Sequence, residues 1–279
     1  MNKVKVKFYG VRGSIPVCGK EFQRYGGNTT CIRILREEAN RVAILDAGTG
    51  IRMLGKELIR DGVTQNIINI VFSHFHWDHI QGFPFFAPAY NPDQRIGILA
   101  MGRKGKVHDI KGIFSKQMQE EYFPIQMDTM GARFEFYAYG DKETIFGAHV
   151  KSIPQFHKYH GGSYGFRLDD EGVSLVVCTD LEHVNGIDAS IVDFAKGADL
   201  LIHDGQYTTA ENNGVFKGWG HSTWEQAAEV ARLAHVKKLI ITHHDPDHND
   251  DFLDGLEQEC QKVFPNSLFA KEGMEVLVG

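Results

Sequence analysis

The stretch Ser73-His74-Phe75-His76-Trp77-Asp78-His79 decides how this chain is read. It places four strong metal ligands, His74, His76, Asp78 and His79, within six residues. Imidazole and carboxylate together are the usual donor set for zinc and similar ions. The run before it, Asn66-Ile-Ile-Asn-Ile-Val-Phe72, is apolar and β-branched, which predicts a strand. Side chains two apart at a strand end share a face, so His74 and His76 aim at one point. Asp78 and His79 then come from a turn or a helix start and aim at another. Two ligand pairs with two aims predict two metal ions. The plain alternative, a histidine-rich surface turn, fits poorly with four ligands directly behind a buried-type strand.

On either side of this motif, apolar patterning predicts strands, the upstream ones at 4–11, 31–37 and 41–47, with Glu38-Ala-Asn40 as a turn. Gly50-Ile-Arg-Met-Leu-Gly-Lys56 has the outline of a phosphate-binding loop. Glu57 stands where Ser or Thr would hold magnesium, and apolar residues at 51, 54 and 58 keep helical spacing, so an ordinary helix is expected. The segment 80–131 is aromatic and proline-containing, with a helical piece near 107–120; strands follow near 133–139, 144–156, 163–169 and 173–179. Gly220-His221-Ser222-Thr-Trp-Glu225 reads as a helix start, with Ser222 and Glu225 as a capping box and His221 just before free backbone N–H groups that attract anions. Lys237–His244 predicts a strand, then a helix from about Asp251 and a closing strand at 274–278.

Composition narrows the class. A chain of 279 residues that is 42% hydrophobic can bury a substantial core, and no linker, repeat or charge block divides it, so one domain over 1–279 is expected. Cysteines 18, 31, 178 and 260 are scattered and read as buried free thiols of a cytoplasmic protein, Cys178 in the apolar run Val173–Cys178 included. No signal peptide or membrane-length apolar stretch is visible. The net charge of −6 disfavours a long nucleic acid as partner. A homodimer is left open.

The 74–79 motif resembles the His-x-His-x-Asp-His signature of the metallo-β-lactamase superfamily. Arg41-Val-Ala-Ile-Leu-Asp46-Ala-Gly48 resembles that family's strand ending in Asp-x-Gly. The runs at 8–16 and 25–29 look like a subgroup near tRNase Z and small-molecule phosphodiesterases. The resemblance implies an α/β fold, a four-layer αββα sandwich with metals at one edge. It matches Asp180, after Val176-Val-Cys-Thr, to a bridging carboxylate, and His243 in Thr242-His243, in preference to His244, to the last histidine ligand. For the third histidine, His157 after Ser152-Ile-Pro-Gln-Phe is favoured over His160. One metal then takes His74, His76, His157 and Asp180, and the other Asp78, His79, His243 and Asp180. The metals expected are divalent transition ions, zinc foremost, with manganese and iron open.

His221, in its Gly-His-Ser-Thr setting, resembles the catalytic histidine of the tRNase Z-like group, and Asp78 and His221 are the candidate catalytic residues. Asp46 or Asp204 could hold imidazole N–H groups. His203 and His248 read as pocket or support residues, and His108, His149, His183 and His235 as surface or packing residues. Tyr122-Phe-Pro124 is expected in a pocket wall. Two nearby cations lower the pKa of a shared water, which can attack phosphorus or a carbonyl carbon. With His221 as acid or anion partner, phosphodiester hydrolysis is the expected reaction. Bacterial tRNase Z carries its tRNA-binding arm between the third histidine and the bridging Asp. Here 22 residues separate His157 from Asp180 and are taken up by strands, which favours a small phosphodiester such as a cyclic nucleotide. A tRNase Z-like ribonuclease, or an ester, thioester or lactone hydrolase on the same metals, is the alternative.

Overall fold

A computed structural model describes residues 4–36, 41–63, 67–102, 109–138, 142–145 and 148–279. Two seven-stranded sheets lie face to face. The first contains β1 (Val4–Gly10), β2 (Cys31–Arg36), β3 (Arg41–Leu45), β4 (Ile67–Phe72), β5 (Arg95–Ala100), β6 (Arg133–Ala138) and β14 (Glu275–Val278), in the order β14-β1-β2-β3-β4-β5-β6. The second contains β7 (Lys142–Ile145), β8 (Ala148–His157), β9 (Tyr159–Asp170), β10 (Val173–Cys178), β11 (Leu200–Asp204), β12 (Leu239–Thr242) and β13 (Ser267–Phe269), in the order β13-β12-β11-β10-β9-β8-β7.

Three apolar layers follow from strand alternation. Val4, Val6 and Phe8 of β1 meet Val150, Phe166, Leu168, Leu175 and Ile202 of the second sheet, filling the space between sheets. The outer face of the first sheet is covered by α1 (Ile51–Arg60) and α3 (Ile110–Gln117), through Ile51, Leu54, Leu58 and Phe114. The outer face of the second is covered by α4 (Ala189–Ala195), α6 (Trp224–Leu233) and α7 (Asp250–Val263), the short α5 (Thr209–Asn212) lying between α4 and α6 in the chain. Each fully buried Leu, Ile or Phe contributes roughly 1.5–3 kcal/mol. The αββα sandwich expected from the resemblance is the observed architecture.

The buried residues of α1 are those predicted, and the phosphate-loop outline is absorbed into that helix. Glu57 accepts hydrogen bonds from Tyr9 (2.5 Å), Lys7 (3.0 Å) and Arg33 (3.3 Å), tying the helix to the first sheet. The expected turn at 38–40 and His108 lie outside the described residues. The β8–β9 hairpin is longer and tighter than predicted. Lys158 alone, at φ 64°, joins the strands, and a bulge at Gln155/Phe156 shifts the register so that His157 faces Tyr159. Of the cysteines, 31, 178 and 260 are buried and Cys18 is exposed, correcting the expectation of four buried thiols; all four are free. Among the described residues no helix is long and apolar enough to cross a membrane.

Candidate metal centre

In each sheet the parallel strands end at the same edge, and irregular segments after those ends carry the polar side chains, the usual place for a ligand site in such sheets. Asp46 follows β3; His74 and His76 follow β4; Asp180 follows β10; Asp204 ends β11; His243 follows β12. Asp78 and His79 lie on α2 (Trp77–Ile80), whose N-cap is His76; of the turn and the helix start that the sequence left open, the helix start is observed. Asp46, Asp180 and His243 all have positive φ, at 58°, 58° and 64°, a conformation costly for residues other than Gly. The strand is left abruptly at each position, and the side chain turns toward the edge.

Seven predicted residues meet here. His74, His76 and His157 form one group, and Asp78, His79, Asp180 and His243 another. Asp180 lies between them: its Oδ1 is 3.7 Å from His74 Nε2 and 3.8 Å from His157 Nε2, and its Oδ2 is 3.2 Å from His79 Nε2. His243 Nε2 stands 3.2 Å from Asp78 Oδ2 and 3.4 Å from Asp180 Oδ1. His244 points away, donating from Nε2 to Ala270 O (2.9 Å) and stacking on Phe269. The side chain of His160 lies outside the described residues.

Partners behind the cluster fix the ring tautomers. Nδ1 of His79 donates to Asp46 Oδ2 (2.8 Å), that of His157 to Gly220 O (2.7 Å) and that of His243 to Gln206 Oε1 (3.0 Å). Ser73 Oγ donates to Asp46 Oδ2 (2.9 Å), so it accepts from His74 Nδ1 at 3.1 Å. Each of these four rings is left with an Nε2 lone pair for a cation. Asp78 accepts from Ser14 N (2.8 Å). Two glycines allow these approaches. A Cβ on Gly13 would come within 2.3 Å of His243 Nδ1, and one on Gly220 within 2.4 Å of His157 Nδ1.

The electrostatics ask for positive charge. Burial would lower His243, but Asp180, the bond to Asp78 and nearby Asp204 push it up to about 9. His79 is raised against its burial by Asp180, Asp78 and Asp46. Burial would raise Asp180, but His243, His79 and His74 hold it well below the usual carboxylate range. His74 is lowered by burial and by neighbouring His79. Nε2 of His74 and Oδ2 of Asp180 are buried without a hydrogen-bond partner, although a buried polar atom normally has one. A cation between the rings would satisfy both, and the donor set suits divalent transition ions.

His221 adjoins both groups, its ring stacked on that of His243 (4.9 Å) and edge-on to that of His157 (4.9 Å). Its Nδ1 donates to buried Asp204 (2.8 Å), which leaves Nε2 for the cavity. Asp204 also accepts from Leu181 N and Gln206 N. Burial would raise Asp204, but His221 outweighs it and keeps the carboxylate ionised. The helix start beyond His221 differs from the prediction. The N-cap of α6 is Thr223, boxed with Gln226, one residue later than the Ser222/Glu225 reading. Ser222 Oγ instead donates to Leu181 O (2.5 Å), and Glu225 accepts from Thr209 N. Thr223 N is taken by Gln226 Oε1, Trp224 N by Tyr207 O and Gln226 N by Thr223 Oγ1, so these three amides are engaged locally and are not held out to an anion. What His221 offers is its ring.

A cavity of about 390 Å³, within the usual range for small ligands, opens over the cluster. Ser14, His76, Asp78, His157, Asp180 and His221 line its floor side, with Lys158, Tyr159, Tyr207 and Trp219. Tyr122 is 74% exposed and Phe123 packs on Phe85; neither belongs to this lining, so the wall expected from Tyr122-Phe-Pro124 comes from elsewhere. His203 donates to Asp204 O and stacks on buried His183, and His248 meets Glu211; none of the three reaches the cavity.

Residues 41–259 match the model of the β-lactamase superfamily domain. This chain belongs to the metallo-β-lactamase superfamily. It is 27% identical to the ribonuclease Z of Picrophilus torridus, over 97% of this chain and 94% of that protein. Its fold matches the metallo-β-lactamase fold protein YhfI of Bacillus subtilis at TM-score 0.73 and 17% identity, over 99% and 100% of the two chains. It matches the short form of human tRNase Z at TM-score 0.67 and 20% identity, over 98% of each chain. A superfamily member with this donor cluster is a metal-dependent hydrolase.

Proposed function

We propose that this superfamily member is a phosphodiesterase that hydrolyses small phosphodiesters such as cyclic nucleotides. The observation that carries the reading is the Asp204–His221 pair at the edge of the donor cluster. His74, His76, His157 and Asp180 would hold one divalent ion, zinc foremost, and Asp78, His79, His243 and Asp180 a second. Bound ions supply an activated water and neutralise charge on phosphoryl oxygens. Asp204 keeps the His221 Nδ1 proton in place, so Nε2 alone handles the proton of the leaving alkoxide. A carboxylic ester has less need of such an acid than a diester with a poor alkoxide leaving group. Asp78, anchored by Ser14 N, fixes the position of His243 across the cluster.

A small substrate is supported by the short path from His157 to Asp180, which is spent on β9 and β10 and leaves no chain for a protruding arm there. The second reading is ribonuclease Z activity, favoured by the relative of that name aligned over nearly its whole length. That alignment spans 311 positions against the 279 residues of this chain, so the relative carries insertions this chain lacks. A panel on metal-defined protein separates the readings: an aryl phosphodiester, 2′,3′- and 3′,5′-cyclic nucleotides, a tRNA precursor, a lactone and a thioester. Fastest turnover of a cyclic nucleotide supports the proposal. Preference for the tRNA precursor, or for the lactone or thioester, overturns it.

A further inference from the structure

We propose that Trp219 and Tyr159, with Lys158 beside them, form a nucleobase subsite at the mouth of the metal centre; the proposal rests on the phosphodiesterase reading and names its substrate class. All three line the cavity that contains His76, His157 and His221. Trp219 is 59% and Tyr159 61% exposed, so neither ring earns its place by burial.

Both rings sit on backbone that is held. The buried Glu182 carboxylate accepts from Gly218 N (2.8 Å) and Gly220 N (2.9 Å), gripping the residues on either side of Trp219. Gly220 O holds the His157 ring. Tyr159 begins β9 directly after the one-residue turn at Lys158. The two segments abut: a Cβ on Gly220 would lie 3.1 Å from Lys158 N. An aromatic ladder runs from the centre outward. Tyr207 meets His221 edge-on, Phe216 stacks on Tyr207 (4.6 Å, 8°), and Trp219 meets Phe216 edge-on (5.2 Å). Trp219 is the outer rung.

Exposed aromatic faces on fixed backbone, next to a phosphodiester centre, suit a flat heteroaromatic base, which stacks regardless of its identity. Aromatic rings would equally receive a quaternary ammonium. Lys158, the one Lys or Arg among the described residues of the lining, repels such a head group and favours a neutral base with its phosphate.

The test compares wild type with Trp219→Ala and Trp219→Phe at verified metal content. Turnover is measured on adenosine 2′,3′-cyclic phosphate and on glycerophosphocholine, which has a cation and no ring. Trp219→Ala should raise KM for the cyclic nucleotide about 10-fold or more with kcat within about 3-fold. KM for glycerophosphocholine should be unchanged, and Trp219→Phe should recover most of the loss. Independently, AMP should quench tryptophan fluorescence in wild type and not in Trp219→Phe, where Trp77 and Trp224 remain. Equal KM rises on both substrates, a rise confined to glycerophosphocholine, or quenching that persists in Trp219→Phe overturns the subsite. If no phosphodiester is turned over while AMP quenching still requires Trp219, the subsite stands and the phosphodiesterase reading falls.

Discussion

His221 is held by one hydrogen bond to Asp204 and packed between His157 and His243, so its removal should cost chemistry before structure. His221→Ala should keep its metals and its fold while kcat drops roughly 10²–10⁴-fold, the contribution of a positioned acid. An aryl phosphodiester, whose leaving group needs little protonation, should lose least. Equal losses for good and poor leaving groups would remove the acid role, and loss of a metal would make His221 a ligand. The two candidate third histidines separate in the same way. His157→Ala should lose one ion and nearly all activity, and His160→Ala should keep both; metal analysis of the two purified variants decides, and the reverse pattern would misplace the ligand. The residues of the cluster were legible because their types are rare and their spacing is tight. Ser73, Gln206 and Glu182 were not, because a backing residue needs only a hydrogen-bonding atom at the right place, which many sequences supply.

At the scale of elements, strands and helices followed from apolar periodicity, and misreadings fell where two residues competed for one role. Ser222 and Thr223 are both good N-caps with an acid or amide three residues on. The structure gives the cap to Thr223 because Ser222 is spent on Leu181 O. Thr223→Ala should therefore cost about 1 kcal/mol and lower Tm by roughly 2–4 °C, with little effect on kcat. Ser222→Ala frees the backbone next to His221 and should lower kcat more than Tm. If thermal melts and kinetics rank the two variants the other way, the cap is misassigned. The β8–β9 hairpin shows a different limit. Its bulge and one-residue turn depend on pairing between distant strands, and no local pattern in Ser152–Tyr164 announces them.

For the whole molecule, the donor cluster joins the two sheets, so bound ions should act as structural clamps. Protein purified without chelation should hold close to two transition-metal ions per chain, and chelation should lower Tm and leave a protein that regains it on titration with zinc. One ion at full occupancy, with no second binding step, would reject the pairing of ligands around Asp180. Acid acts through a different group. Burial, with His203 alongside, brings His183 down to about 3, and its Nδ1 accepts from Asp188 N. The unfolded chain, titrating near 6.5, takes up that proton first. Stability from this group is therefore complete above pH 6.5 and is lost as pH falls toward 3, by about 1 kcal/mol per pH unit. His183→Asn keeps an acceptor for Asp188 N and should flatten that slope in denaturant melts between pH 7 and 5; an unchanged slope would discharge His183 from the role.

The place of β14 has a consequence for how the chain is made. This strand pairs with β1, Val4 opposite Val278, so the first sheet receives an edge strand from the far end of the sequence. During synthesis from the N-terminus, the open edge of β1 must wait for almost the entire chain, exposed to other nascent chains in the meantime. Lys5 and Lys7 alternate along that strand and discourage such pairing until Glu275 arrives to meet both. Neutralising the two lysines should leave the finished enzyme nearly as active and send more of the newly made chains into aggregates.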